Sequence, residues 1–134
     1  MIKITLPLPP VPWQAAIKGR HGFYDPKEKE KRCARYYIKE QYDGEPLTDY
    51  VVIKLQFHFK VPKSFSKKKR ELALAGEIFP TRQDCTNMQK LYEDCLKGIV
   101  ISDDRNVVKI FSEKEYSEKE EIIIFIQTLE EFCR

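Results

Sequence analysis

The sequence predicts a small α/β (α+β) domain over residues 1–134, with a mixed, mostly antiparallel sheet and helices packed on one of its faces. Three observations predict it. The stretch "DYVVIKLQFHFKV" sets Val51, Ile53, Leu55, Phe57 and Phe59 against Val52, Lys54, Gln56, His58 and Lys60, the period of two that a half-buried strand needs. Met88, Leu91, Tyr92, Cys95, Leu96 and Ile99 recur at three-and-four spacing, which gathers them on one side of a helix. Segments of strand and helix character follow one another without a Gly, Ser or Pro-rich linker, in the order strand, helix, strand, short helix, helix, strand, strand.

The elements are read in order. "IKITLPLPP" alternates before its prolines, so a first strand runs from Ile2 to about Leu6 and leaves by a proline-fixed exit. "WQAAIKGRHGFY", residues 13–24, mixes basic residues, two glycines and aromatics without a steady period and reads as a loop. Helix formers dominate from Pro26 to Gln41, with Asp25 as the expected N-cap, Pro26 at the first helical position and Ala34, Tyr37 and Ile38 as the apolar stripe. After the long strand, Ser64 or Ser66 caps a short helix to about Ala75, which Gly76 closes, and a turn leads through Pro80 to Arg82. A major helix follows from about Thr86 to Lys97. Two strands near 106–113 and 120–127, joined by a polar turn, complete the chain.

Apolar runs of four or five residues are far short of the roughly 20 that cross a bilayer, and the N-terminus has no signal-peptide core. A soluble, intracellular protein that does not engage membranes is expected. Cys33, Cys85, Cys95 and Cys133 lie far apart, with no His placed to complete a zinc site, and are read as free, mostly buried thiols. His58 reads as a structural side chain in its strand; His21, beside Gly19, Arg20 and Gly22, is a weak candidate for ligand contact.

A net charge of +3 does not by itself identify a polyanionic partner, but its distribution is lopsided. "KVPKSFSKKKR", residues 60–70, carries six cations and no acid, whereas the C-terminal part is acid-rich. Lys67, Lys68, Lys69 and Arg70 are either a solvated helix turn or phosphate contacts.

"RQDCTNMQK" and "SDD" hold the chemistry-bearing groups. Asp84 precedes a helix start, where unpaired N–H groups favour a carboxylate. Thr86, Asn87, Lys90, Asp94 and Lys97 form a polar stripe away from the apolar side, and a solvated face would look the same. Asp103 and Asp104 follow the Gly98 turn and the apolar "IVI"; a loop returning toward the helix start would bring them near Asp84. Hard cations take oxygen ligands, usually one or two carboxylates plus water and substrate phosphate. The residues alone therefore point no further than metal-dependent phosphoryl chemistry, with Lys90 one turn away to stabilise developing charge.

At this point the chain resembles the RusA family of Holliday-junction resolvases, small endodeoxyribonucleases often encoded by phages and prophages. The resemblance runs through "ITLPLPPVP", "GFYDPKEKE", "PKSFSKKKRELALAG" and, most specifically, "DCTNMQKLYEDCLKGIVISDD". A family pattern of Asp-x-Asp-Asn-Leu-x-Lys, then Asp-x-Leu, then Asp-Asp is matched at Asp84, Asn87, Lys90, Asp94, Leu96, Asp103 and Asp104. The resemblance implies metal ligation by Asp84 and Asp104, assistance or a second ion at Asp103, and a catalytic Lys90. It further implies Mg²⁺, or Mn²⁺ in its place, paired cuts in four-way junctions or other branched DNA during recombination and repair, and a homodimer in a bacterial cytoplasm. Lys18, Arg20, Lys67, Lys68, Lys69, Arg70 and Arg82 become the expected DNA-binding residues. For the dimer surface, the strand region of Val51, Ile53 and Phe57 and the apolar "EIIIFI" are candidates.

Thr86 is the departure, because it stands where the family usually has a metal-ligating aspartate. Thr86-Asn87-Met88-Gln89 reads as a capping box that keeps a helix cap of about 1 kcal/mol and gives up the charge. Either Asp84, Asp103 and Asp104 still hold Mg²⁺, with water bridging to Thr86, or the chain binds junctions and cuts them weakly or not at all. Retained activity is favoured, since every other motif residue is present. A structural or regulatory protein unrelated to DNA would require both the lysine run and the acids to be coincidental.

Overall fold

The computed structural model describes all residues, 1–134. Its strands and helices are β1 (Ile2–Leu6), β2 (Ile17–Gly19), β3 (Gly22–Tyr24), α1 (Glu28–Gln41), β4 (Val51–Lys60), α2 (Lys67–Leu74), α3 (Cys85–Leu96), β5 (Val107–Ser117), β6 (Glu121–Thr128) and α4 (Leu129–Phe132), with a 3₁₀ turn at Asp104–Asn106. The main sheet has the order β1-β6-β4-β5. β6 pairs antiparallel with β1 and β4, while β4 and β5 run parallel, so the sheet is mixed and mostly antiparallel, as the sequence predicts.

Alternation along β4 decides which face is covered. Val51, Ile53, Leu55 and Phe57 are fully buried and meet Ala34 and Ile38 of α1 and Met88, Leu91, Tyr92 and Cys95 of α3 in one core. Burying side chains of this size stabilises the fold by about 1.5–3 kcal/mol each. Val51, Ile53 and Phe57 are consequently unavailable as a dimer surface, and of "EIIIFI" the residues Ile122, Ile124 and Ile126 are likewise inside. The opposite face stays open. There His58 is bracketed by Glu115 at 2.9 Å and Glu121 at 3.2 Å, and Phe111 lies against Phe132 of α4.

Several local expectations are corrected. The 13–24 loop contains the β2–β3 hairpin, whose turn is closed by Gly22 at φ +109°, a conformation glycine adopts without strain. α1 starts after Lys27 rather than at Pro26; Asp25 instead accepts from the Lys27 N–H at 2.8 Å and from Lys31 Nζ at 2.7 Å. α3 starts at Cys85 with Asp84 as its cap, not Thr86, so no Thr86–Gln89 capping box forms. A capping box does occur at Thr128 and Glu131, which start the unexpected α4. Of the four thiols only Cys95 is buried, Cys85 is intermediate, and Cys33 and Cys133 are exposed. Burial pushes the Cys95 thiol up to about 12, which keeps it protonated and unreactive.

Candidate functional site

α3 is the element on which the candidate residues are mounted, because its apolar side is fixed in the core and its other side is left to solvent. Its start is rigidly defined. Asp84 Oδ1 accepts from the Asn87 N–H at 2.7 Å, and Oδ2 accepts from Asn87 Nδ2 at 3.3 Å. The N-terminal segment docks on the same helix: the Trp13 N–H donates to the Asn87 carbonyl at 2.9 Å, and the Val11 N–H donates to Tyr92 Oη at 3.1 Å. Trp13 therefore lies where Lys90 emerges, and Lys90 Nζ sits 3.5 Å from the centre of its ring. Such a contact restrains an exposed ammonium by about 0.5–1 kcal/mol without neutralising it. Thr86 is exposed in the first turn, with no acid beside it in that turn.

The paired aspartates are held differently. Asp103 Oδ1 accepts from the Arg105 N–H at 3.0 Å, and Oδ2 lies 3.3 Å from the Arg105 guanidinium. The Arg105 N–H, a hydrogen bond with Asp104 and the guanidinium together hold the Asp103 carboxyl well below the usual carboxylate range. Asp104 is exposed at the start of the 3₁₀ turn. Its charge, after burial itself and ahead of Asp94, raises the Glu93 carboxyl above its ordinary value.

α3 runs antiparallel to the neighbouring edge strand. Lys114 Nζ donates to the Gln83 carbonyl at 2.6 Å beside the helix start, Ser112 Oγ donates to Gln89 Oε1 in its middle, and Asp104 acts on Glu93 near its end. Asp84 and Glu93 are separated by about 13 Å along the helix axis. No group of three His, Cys, Asp or Glu side chains is placed to hold a metal ion. The donors nevertheless have the right chemistry for a hard cation, which commonly takes one or two carboxylates and completes its shell with water and phosphate. Asp104 thus lies toward the end of α3 and not beside Asp84, so the expected return of the Asp103–Asp104 loop to the helix start is corrected: these acids do not form one ion cage.

The expected DNA contacts fall on three exposed places. Lys18 and Arg20 lie on the β2–β3 hairpin with His21, beside Phe23 and Tyr24, which are 74% and 53% exposed. Lys67, Lys68 and Lys69 form the first turn of α2, capped by Ser66, and Lys69 Nζ stands 4.1 Å over the Phe65 ring. Arg82 is exposed two residues before Asp84. Arg70 differs, since Glu118 holds it at 2.7 Å. Asp94, a motif position, lies 3.8 Å from the buried Lys31 and ties α3 to α1.

Sequence reasoning missed Trp13 and Glu93. Trp13 sits in a segment without periodicity, and its contact with Lys90 joins distant parts of the chain. Glu93 had only its place on the helix as a signal, between Lys90 and Lys97 on the solvent side.

The family model for endodeoxyribonuclease RusA matches residues 7–127. No curated protein matches the chain.

Proposed function

The chain belongs to the RusA endodeoxyribonuclease family, and on that premise we propose that it is a divalent-metal-dependent endonuclease that resolves four-way DNA junctions by paired phosphodiester cuts. The observation that carries the reading is the family match across residues 7–127, within which Asp84, Asn87, Lys90, Asp103 and Asp104 keep the motif. We take residues 1–134 as one catalytic domain that acts in a bacterial cytoplasm on behalf of a phage or prophage.

Asp84 at the start of α3 and Asp104 near its end would each lend a carboxylate to Mg²⁺ or Mn²⁺, with Asp103 assisting, and no single ion spans the two as they stand. When bound, the ion would supply an activated water and neutralise charge on the phosphate. The remaining work belongs to the chain. Asn87 fixes the Asp84 carboxylate, and Trp13 restrains Lys90 so that its ammonium meets the negative charge growing on the phosphate. Lys18, Arg20, Lys67, Lys68, Lys69 and Arg82 anchor phosphates and set the register of the strands. None of these six pairs with an acid, whereas Arg70 must release Glu118 to join them. Paired cuts in a nearly two-fold substrate call for two copies, and the open sheet face around Phe111 and Phe125 is the surface we assign to the second. Lys54 and Glu113 on this face pair with each other at 3.7 Å and would have to exchange partners across a two-fold axis.

A second reading is favoured by one observation: with Thr86 in place of an acid, no three acids converge. The protein would then bind junctions and cut them poorly. Cleavage of a synthetic four-way junction with and without Mg²⁺ separates the two. Asp84→Asn and Asp104→Asn should each lose on the order of 100-fold or more in cleavage while keeping junction binding. Asparagine remains a good helix cap, so the Asp84 variant isolates the charge from the fold. Full activity in both variants would remove the assignment, and wild-type binding without Mg²⁺-dependent cutting would leave the second reading. A monomer mass in solution would exclude the dimer.

A further inference from the structure

A cavity of about 420 Å³ opens between the end of β4, the Pro80–Arg82 turn and the end of β5. Its size is that of a small-molecule site. Lys60, Lys63 and Arg82 line it with Thr81, Tyr116 and a single acid, Glu120. None of the three cations makes an ion pair, although other surface cations here, such as Lys54, Arg70 and Lys119, do. Uncompensated cations around a concavity attract an anion, and a guanidinium grips phosphate oxygens in parallel pairs. Glu120 works against a second phosphate in the same space.

The wall is also aromatic. Tyr116 packs edge-on against Phe65, over which Lys69 from the first turn of α2 stands, so the lysine run adjoins the cavity wall behind Tyr116. On its other side the lining residue Arg82 leads directly to Asp84. Aromatic faces beside a positive track hold unstacked bases by stacking, whatever the base.

We propose that this cavity is a nucleotide subsite, which takes one unpaired nucleotide of the DNA strand, with its phosphate on Lys60, Lys63 and Arg82 and its base against Tyr116. The proposal rests on the reading of the chain as a branched-DNA nuclease, since unpaired nucleotides occur where strands exchange. It gives the cations at the end of β4 and in the Pro80–Arg82 turn one common ligand.

The test is a titration of the isotope-labelled full chain, followed by NMR, with the dinucleotide pdTpdT, with its abasic counterpart and with inorganic phosphate. Saturable shifts at Thr81, Arg82 and Tyr116 are expected with pdTpdT at concentrations where the other two give none. Lys60→Gln/Lys63→Gln should weaken that binding at least tenfold; these side chains are exposed, so folding is kept. Tyr116→Leu should bind pdTpdT no better than its abasic counterpart. Shifts elsewhere only, equal shifts with phosphate alone, or an unchanged affinity in the double variant would overturn the subsite. Junction cleavage by the wild type is scored in parallel. Cutting without the shifts removes the subsite alone, and the shifts without cutting support the subsite while removing the nuclease reading.

Discussion

On the proposed reading, in which Asp84 ligates a divalent cation, Thr86 would set how strongly that ion is held, because it puts a neutral hydroxyl where the family pattern has an acid. It has no role as a cap, since Asp84 caps α3 through the Asn87 N–H. The hydroxyl can therefore be replaced without disturbing the helix start. An aspartate there would also face the positive end of the helix, worth about 0.3–1 kcal/mol in its favour. Thr86→Asp should accordingly fold normally and lower the Mg²⁺ concentration for half-maximal cleavage by about tenfold, or 1.4 kcal/mol. Mn²⁺ binding followed by its electron spin resonance signal, in the absence of DNA, gives a reading independent of turnover. If both titrations match the wild type, Thr86 does not face the ion.

At the scale of elements, α2 carries a charge pattern that its own stability disfavours. Lys67, Lys68 and Lys69 occupy its first turn, which contains no acid, and face the positive end of the helix. A pattern unfavourable to the helix has a reason if the cations meet phosphates. Lys67→Glu should stabilise the fold by about 0.5 kcal/mol, read from thermal unfolding, while weakening junction binding and flattening its salt dependence by about one contact. Stabilisation with unaltered binding would return the run to a solvated surface. Much of this level was legible in the sequence: the alternation of β4, the buried side of α3 and a serine cap on α2 follow from residue periods and cap chemistry within short windows, although Ser64 and Ser66 were equally good caps and the structure uses Ser66. The β2–β3 hairpin was not legible, since three-residue strands are too short to display a period. The start of α3 was misplaced because Asp84 and Thr86 are both good caps, and the choice rests on Asn87, which holds Asp84 with both its amide groups. Lys90 was visible as a lysine one turn into a helix; the Trp13 ring that restrains it was not.

Across the whole molecule, one buried ammonium joins the hairpin, α1 and α3. Asp25 follows β3 directly, and its carboxylate receives Lys31 Nζ at 2.7 Å and the Lys27 N–H at 2.8 Å. Lys31 is only 9% exposed and reaches Asp94 of α3 at 3.8 Å. The Lys31 hydrogen bond, followed by the Lys27 N–H, lowers the Asp25 carboxyl from its ordinary value. A carboxyl lowered by folding adds stability that is fully present above its unfolded value of about 3.9 and is lost as the pH falls through the folded value. Asp25→Asn should therefore melt below the wild type at pH 7, with the gap closing as the pH falls below about 4. The same variant should bind junction DNA more weakly at pH 7, because the hairpin bearing Lys18 and Arg20 loses its anchor to the helix bearing Asp84 and Lys90. Thermal unfolding at pH 7 and near pH 3, beside a junction-binding titration, checks both halves. A melting gap of equal size at the two pH values would mean that the Asp25 charge does not hold these elements together.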